Sequence, residues 1–380
     1  MTRLWTLVID NSLLLIAGTV IGLTWANVAP GSYEHAAHAL HFAVNDVGMV
    51  FFFALATKEI VEATLPGGAL SSPREAGVPL LAAVGGMAVP ATLYIVQASL
   101  SGRPELFSGW AIPCATDIAF SYLAARMIFP PTHPAIPFLL LLAVADDALG
   151  LVLLALFYPS APLAPLRFVG WMIPALVLAW WLKRRGTRSF WPYALGAGGC
   201  SWMALHLGGL HPALALVPIM PFMPHERRDL GIFEAQEERL PDTMNTFGHW
   251  WRTPVQFILF FFGFANAGVE LSSVGTGTWT VLSALVIGKP IGITLFTWLA
   301  IRFGMRAPGG LSFAHTVVLG IAAGIGFTVA LFFATAAFPP GAVLAEAKMG
   351  ALLSFVALPI AVAVGRGMGL RPGRTTRSGI

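Results

Sequence analysis

The sequence predicts an all-α polytopic membrane protein of about twelve transmembrane helices, and three observations carry that prediction. Hydrophobic residues make up 57% of the 380-residue chain and charged residues 11%, with a mean hydropathy of +0.76. The apolar residues gather into runs of about 20, the length a helix needs to cross a hydrocarbon core. Finally, the basic residues sort by side. With the N-terminus in the cytoplasm, only Arg103, Arg167 and Lys348 of the 22 Lys and Arg residues fall outside. Lys58 and Lys289 lie within spans and the rest face inward, which is the positive-inside pattern and puts both termini in the cytoplasm.

Taken in order, the runs are 11–29, 45–65, 76–98, 109–128, 135–158, 166–182, 190–207, 210–224, 253–272, 278–302, 312–337 and 343–365. The first follows Arg3 and loosely resembles a signal peptide, but Asp10 interrupts its approach and Pro30 would follow the cut, so it reads as an uncleaved span. The run 210–224 is short and interrupted by proline. Between spans eight and nine, His225 to Arg252 mixes charges of both signs, which suits a solvated loop with a short amphipathic helix. Residues 1–365 read as one transmembrane domain and 366–380 as a Gly- and Arg-rich disordered tail. Cys114 and Cys200 both lie in apolar runs, so no disulfide framework or zinc-finger spacing exists. No H-E-x-x-H or G-x-S-x-G occurs, which leaves zincin and serine-hydrolase chemistry without a starting set.

Spans four and five carry the chemistry. Asp117 sits in the first, and Asp146 and Asp147 in the second. A carboxylate at bilayer depth costs at least about 2.5 kcal/mol, so three close together point to an ion or proton path. Pro113 removes a backbone donor just before Thr116 and Asp117, which predicts a broken helix whose ends can meet a cation; a plain kink is the alternative. Asp146 and Asp147 diverge by about 100° on a helix and cannot play identical roles. Lys289, between Gly288 and Pro290, is the obvious deep basic partner, since it stands too far from either end of its span to snorkel. Gly324 and Gly326 in span eleven mark either close helix packing or an unwound segment matching the break at Pro113. Spans four and eleven run in opposite directions, as inverted repeats of spans three to five and ten to twelve require. The histidines His206, His211, His249 and His315 read as packed or hydrogen-bonded residues rather than pH sensors, and Lys58, Glu59 and Glu62 as interfacial charges.

The joint occurrence and order of several motifs resembles the NhaA family of bacterial sodium/proton antiporters. They are F-F-F-A-L in span two, A-A-V-G-G-M-A-V-P-A in three, A-T-D-I-A-F in four, the D-D pair in five, F-A-N-A-G-V in nine, G-K-P-I-G-I in ten and A-G-I-G-F-T in eleven. The resemblance implies two unwound helices crossing at Thr116 and Asp117, Asp147 as main Na⁺- and proton-binding carboxylate together with Asp117, and Asp146 paired with Lys289. It implies core repeats of about 76–158 and 278–365, with the remaining helices as scaffold. It further implies electrogenic exchange of Na⁺ or Li⁺ for H⁺ across the bacterial inner membrane, activation at alkaline pH, no cofactor, no enzymatic activity and no nucleic-acid partner. A homodimer is expected, linked by a hairpin for which residues 30–44 are the candidate segment, although they show no strand alternation. The family's glutamates near the end of span two and the start of span nine are not matched: A-L-A-T-K-E-I-V-E places Lys58 at the first, and L-P-D-T-M-N-T-F-G-H-W-W replaces the second. Two other readings remain: a sodium-coupled symporter of an organic anion, and an intramembrane aspartyl protease using Asp117 and Asp147. The second draws on the P-A-L triplets at 174–176 and 212–214, but neither aspartate lies in a G-x-G-D motif.

Overall fold

The computed structural model describes residues 12–66, 68, 70–225, 242–305 and 308–370. Among these residues there is no strand, and the elements are helices α1 (Leu13–Val28), α2 (Pro30–Thr64), α3 (Pro73–Leu100), α4 (Ile118–Ile128), α5 (Ala135–Phe157) and α6 (Pro165–Arg184). They continue with α7 (Gly198–Gly208), α8 (Thr243–Ala267), α9 (Thr276–Arg302), α10 (Phe313–Ala323), α11 (Phe327–Ala337) and α12 (Ala342–Gly367). Among the described residues, six helices are long and apolar enough to cross a membrane. A seventh span forms if α10 and α11 are joined across their 51° bend. At 23 residues α5 is about 34 Å long, enough for a hydrocarbon core of about 30 Å.

The chain divides into two compact units, residues 1–71 with 148–270 and residues 72–147 with 271–380. In the first, α1 lies along α8 so closely that a Cβ at Gly18 would stand 2.0 Å from the Phe260 carbonyl oxygen. This small-residue contact lets the two backbones touch, the usual source of helix cohesion where no water drives association. Tyr33 donates its hydroxyl to the Phe264 carbonyl at 2.8 Å, and buried Asn45 and Asn266 exchange amide hydrogen bonds at 2.9 and 3.1 Å. Each satisfies polar groups that lipid could not. At the end of α6 the Arg184 and Arg185 guanidiniums lie over the exposed rings of Trp180 and Trp181, 5.2 and 3.8 Å from their centres, as residues of an interfacial belt do.

Three expectations change here. The run 210–224 is not a helix: it holds only the short turns Pro212–Leu214 and Met220–Phe222, because Pro212, Pro218 and Pro221 remove the donors a helix needs. The span expected at 253–272 begins ten residues earlier, as α8, where Asp242 caps it by accepting the Asn245 N–H at 2.7 Å. Residues 30–41 are helical, not a hairpin. Of the loop with its amphipathic helix expected at 225–252, residues 226–241 lie outside the described residues and 243–252 form the first turns of α8. The tail beyond 370 and the approach to span one also lie outside the described residues.

In the second unit α9 is the central element. A Cβ at Gly292 would stand 2.0 Å from the Gly85 carbonyl oxygen, so α3 and α9 approach at a distance only glycine permits. On the other side Gly320 of α10 packs on the Pro290 backbone. Pro290 cannot donate to the preceding turn, and α9 absorbs the missing bond with a wider turn over Ala284–Gly288, immediately before Lys289.

Candidate ion site

The site lies wholly within the second unit, where two interrupted segments meet. Ahead of α4 the chain forms a short turn at Ile112–Cys114 and then extends through Ala115 to Asp117, where φ and ψ are −86° and 103°. The segment before Asp117 is thus a short turn containing Pro113 followed by extended chain, not a kinked helix. The second interruption is at 324–326, between α10 and α11, where Gly324 and Gly326 adjoin Ile325. The two breaks bond to each other, the Asp117 N–H donating to the Ile325 carbonyl at 2.7 Å.

Asp117 serves both of the helices that start here. One carboxylate oxygen accepts the Phe120 N–H at the start of α4 at 3.4 Å, and the other accepts from both the N–H and the hydroxyl of Thr328 in the first turn of α11. Two helix N-termini, each with unsatisfied donors and a positive partial charge, therefore converge on one buried carboxylate. Phe120 packs edge-on against Phe327 and Phe355, which closes this junction with apolar rings.

Asp146 occupies a different environment. Its Oδ2 lies 2.9 Å from Lys289 Nζ and accepts the Thr116 hydroxyl at 2.6 Å, while Lys289 also donates to the Cys114 carbonyl at 2.6 Å. All four residues are buried, and the Asp146 Oδ1 atom has no hydrogen-bond partner. Lys289 thus holds together the frayed end of the first break and the α5 carboxylate. Asp147 is only half-buried and makes no hydrogen bond or ion pair with any described residue, although both Asp117 and Asp146 stand within electrostatic range of it. Among the described residues no three His, Cys, Asp or Glu side chains gather as they do in a closed metal cage.

The structure brings together Thr116, Asp117, Asp146, Lys289 and the two breaks, and gives Asp147 no hydrogen bond or ion pair with any described residue. It also reveals partners that sequence reading missed. Thr328 binds Asp117, Ser121 donates to the Ala322 carbonyl at 2.9 Å, and Ser354 of α12 accepts the Gly326 N–H at 3.2 Å. Thr328 was visible in G-I-G-F-T, since a hydroxyl two residues past a broken glycine turn is placed to meet a capping group. Ser354 carries no such signal, being 28 residues away in sequence.

A family model described as Na+/H+ antiporter 1 matches residues 5–365. The chain belongs to the Na+/H+ antiporter 1 family. Within that family it is 45% identical to the Na(+)/H(+) antiporter NhaA of Jannaschia sp. (strain CCS1), over 96% of this chain and 98% of that one. The NhaA of Geotalea uraniireducens (strain Rf4) is 46% identical over 95% of this chain and 96% of the relative. Among solved structures, the sodium proton antiporter MjNhaP1 from Methanocaldococcus jannaschii at pH 8 superposes with a TM-score of 0.53 at 15% identity, covering 94% of this chain and 91% of that one. At that identity the likeness concerns the fold alone. The family assignment and the apolar helices together make this member of the Na+/H+ antiporter 1 family a multi-pass membrane protein.

Proposed function

We propose that this protein is an electrogenic antiporter that exports Na⁺ or Li⁺ in exchange for protons, by alternating access at a midplane aspartate site. The observation that carries this reading is Asp147, a half-buried carboxylate with no partner among the described residues, next to two carboxylates whose partners are already assigned. Asp147 is the group free to trade a proton for a cation. Asp117 and Thr116 would complete the ligand set with backbone carbonyls of the breaks, and Asp146 would remain neutralised by Lys289.

Exchange follows if cation and protons compete for the same carboxylates and the empty, fully charged site moves poorly within the membrane. The protons leaving belong to a coupled group, not to single residues. The two interrupted segments at 115–117 and 324–326 would be the crossing of two discontinuous helices within inverted repeats of about 76–158 and 278–365, which would rock as one core. The bacterial inner membrane, cytoplasmic termini and a homodimer belong to the same reading. The names of the curated relatives support exchange over organic-anion symport or intramembrane proteolysis.

The test uses proteoliposomes with an acidic interior and a pH-sensitive dye. Addition of Na⁺ or Li⁺ outside should drive proton efflux that steepens with an imposed membrane potential and vanishes in Asp147→Asn. Folded protein that gives no cation-dependent signal between about pH 6 and 9 would sink the antiport reading.

A further inference from the structure

α9 has a second exposed feature apart from the ion site. Ile291, Leu295, Trp298 and Arg302 recur at intervals of four, three and four residues, so they lie along one side of the helix. The three apolar side chains of this line are 51%, 42% and 51% exposed. Opposite them Phe313 and Val317 of α10 form a second wall, and between the two lies an open apolar groove of about 400 Å³. Pro290, adjacent to the Lys289 of the ion site, also lines it, at the end of the line away from Arg302.

Several features describe what would fill it. The protein crosses a membrane, so an exposed apolar groove on a spanning helix meets hydrocarbon and not water. From Ile291 to Arg302 the helix rises about 16 Å, close to the thickness of about 15 Å of one leaflet's hydrocarbon layer. Trp298 lies near the outer end of that path, where indole rings settle at the headgroup level. Arg302 follows one turn later, exposed, with no ion pair to any described residue. The groove itself follows α9 from Pro290 to Trp298, about 12 Å, and the lone cation stands one turn beyond it, which is the polarity of a negatively charged lipid.

We propose that the groove between α9 and α10 holds an acyl chain of an anionic phospholipid, with Arg302 on its phosphate. The chain end rests against Pro290, so lipid occupancy bears on the helix that positions Lys289. The proposal is independent of which ions are exchanged, and its readout is binding, so its failure leaves the antiport reading standing.

The test follows the thermal unfolding of the full chain in detergent as phosphatidylglycerol, phosphatidylcholine or inorganic phosphate is added. Phosphatidylglycerol should act at lower concentration than phosphatidylcholine, and phosphate alone should have no effect. Arg302→Gln, a change at an exposed position, should weaken the phosphatidylglycerol response about five-fold, the share of one Arg at an anionic surface, and leave the phosphatidylcholine response unchanged. Leu295→Trp, which fills the groove, should remove both lipid responses. Because that variant could also disturb folding, brominated-acyl phosphatidylglycerol provides a second readout. It should quench a fluorescence component that disappears in Trp298→Phe. Equal responses to the two lipids, a full phosphatidylglycerol preference in Arg302→Gln, protection by phosphate alone, or no quenching of Trp298 would each overturn the proposal.

Discussion

Thr328 gives Asp117 two of its contacts, one from the backbone and one from the hydroxyl. Only the second depends on the side chain, which makes Thr328→Val an informative change. A hydrogen bond to a charged group contributes about 1.5–3 kcal/mol, so its loss from an oriented cation ligand should raise the KM for Na⁺ about ten-fold or more. Thr328→Ser should stay close to wild type. An unchanged KM in the valine variant would mean that the orientation of Asp117 does not matter to cation binding. At this scale the sequence was legible wherever a charge is expensive: Asp117, Asp146 and Lys289 announced themselves because a bilayer tolerates no idle ion. Hydroxyl partners such as Ser121 and Ser354 carry little such penalty and are common in membrane helices, so nothing in their spacing set them apart.

Among the elements, the contact of α3 with α9 decides where Lys289 stands. Gly292→Ala adds a Cβ 2.0 Å from the Gly85 carbonyl oxygen, and neither backbone can yield without moving the helix axis. Overpacking of this kind costs about 1–3 kcal/mol, and it should lower both the unfolding midpoint and the Na⁺-dependent dye signal. Gly170 of α6, where an added Cβ meets no atom within 4 Å, is the control. Gly170→Ala should leave transport intact and stabilise slightly, since alanine is the better helix former. A Gly292→Ala variant as stable and active as Gly170→Ala would refute the close-packing account. Apolar runs gave the long helices well, α5 to within a residue of its observed end. They misjudged 210–224 because hydropathy counts apolar side chains and ignores the backbone donors that three prolines remove. They placed the start of α8 late because its polar first turns are held by a cap and not by apolar periodicity.

For the whole molecule, the Asp146–Lys289 pair makes stability depend on charges that must be kept or removed together. Taking away one partner strands the other in a buried site, at a cost of about 3–5 kcal/mol, whereas removing both can be nearly neutral. Lys289→Met should therefore lower the unfolding midpoint clearly, and Asp146→Asn with Lys289→Met should recover much of that loss. A double variant no more stable than Lys289→Met alone would show that the pair is not held by mutual compensation. The membership of the chain in its family was legible from motif order alone. Where the boundary between the two units falls was not, because α5 crosses it at Asp147 and Ala148 without any change in its apolar pattern.

Asp117 caps the starts of two helices at once. A carboxylate that terminates a single helix can be replaced by serine or asparagine with a modest local penalty. Here the same two oxygens answer to α4 and to α11, and the backbone of the same residue is bonded to Ile325. A cation that claimed one of those oxygens would have to take it from a helix start, so filling the site and slackening the junction would be one event. The residue would then act as a mechanical latch as well as a ligand, and ion occupancy should be readable in the hydrogen-exchange rate of the Thr328 amide.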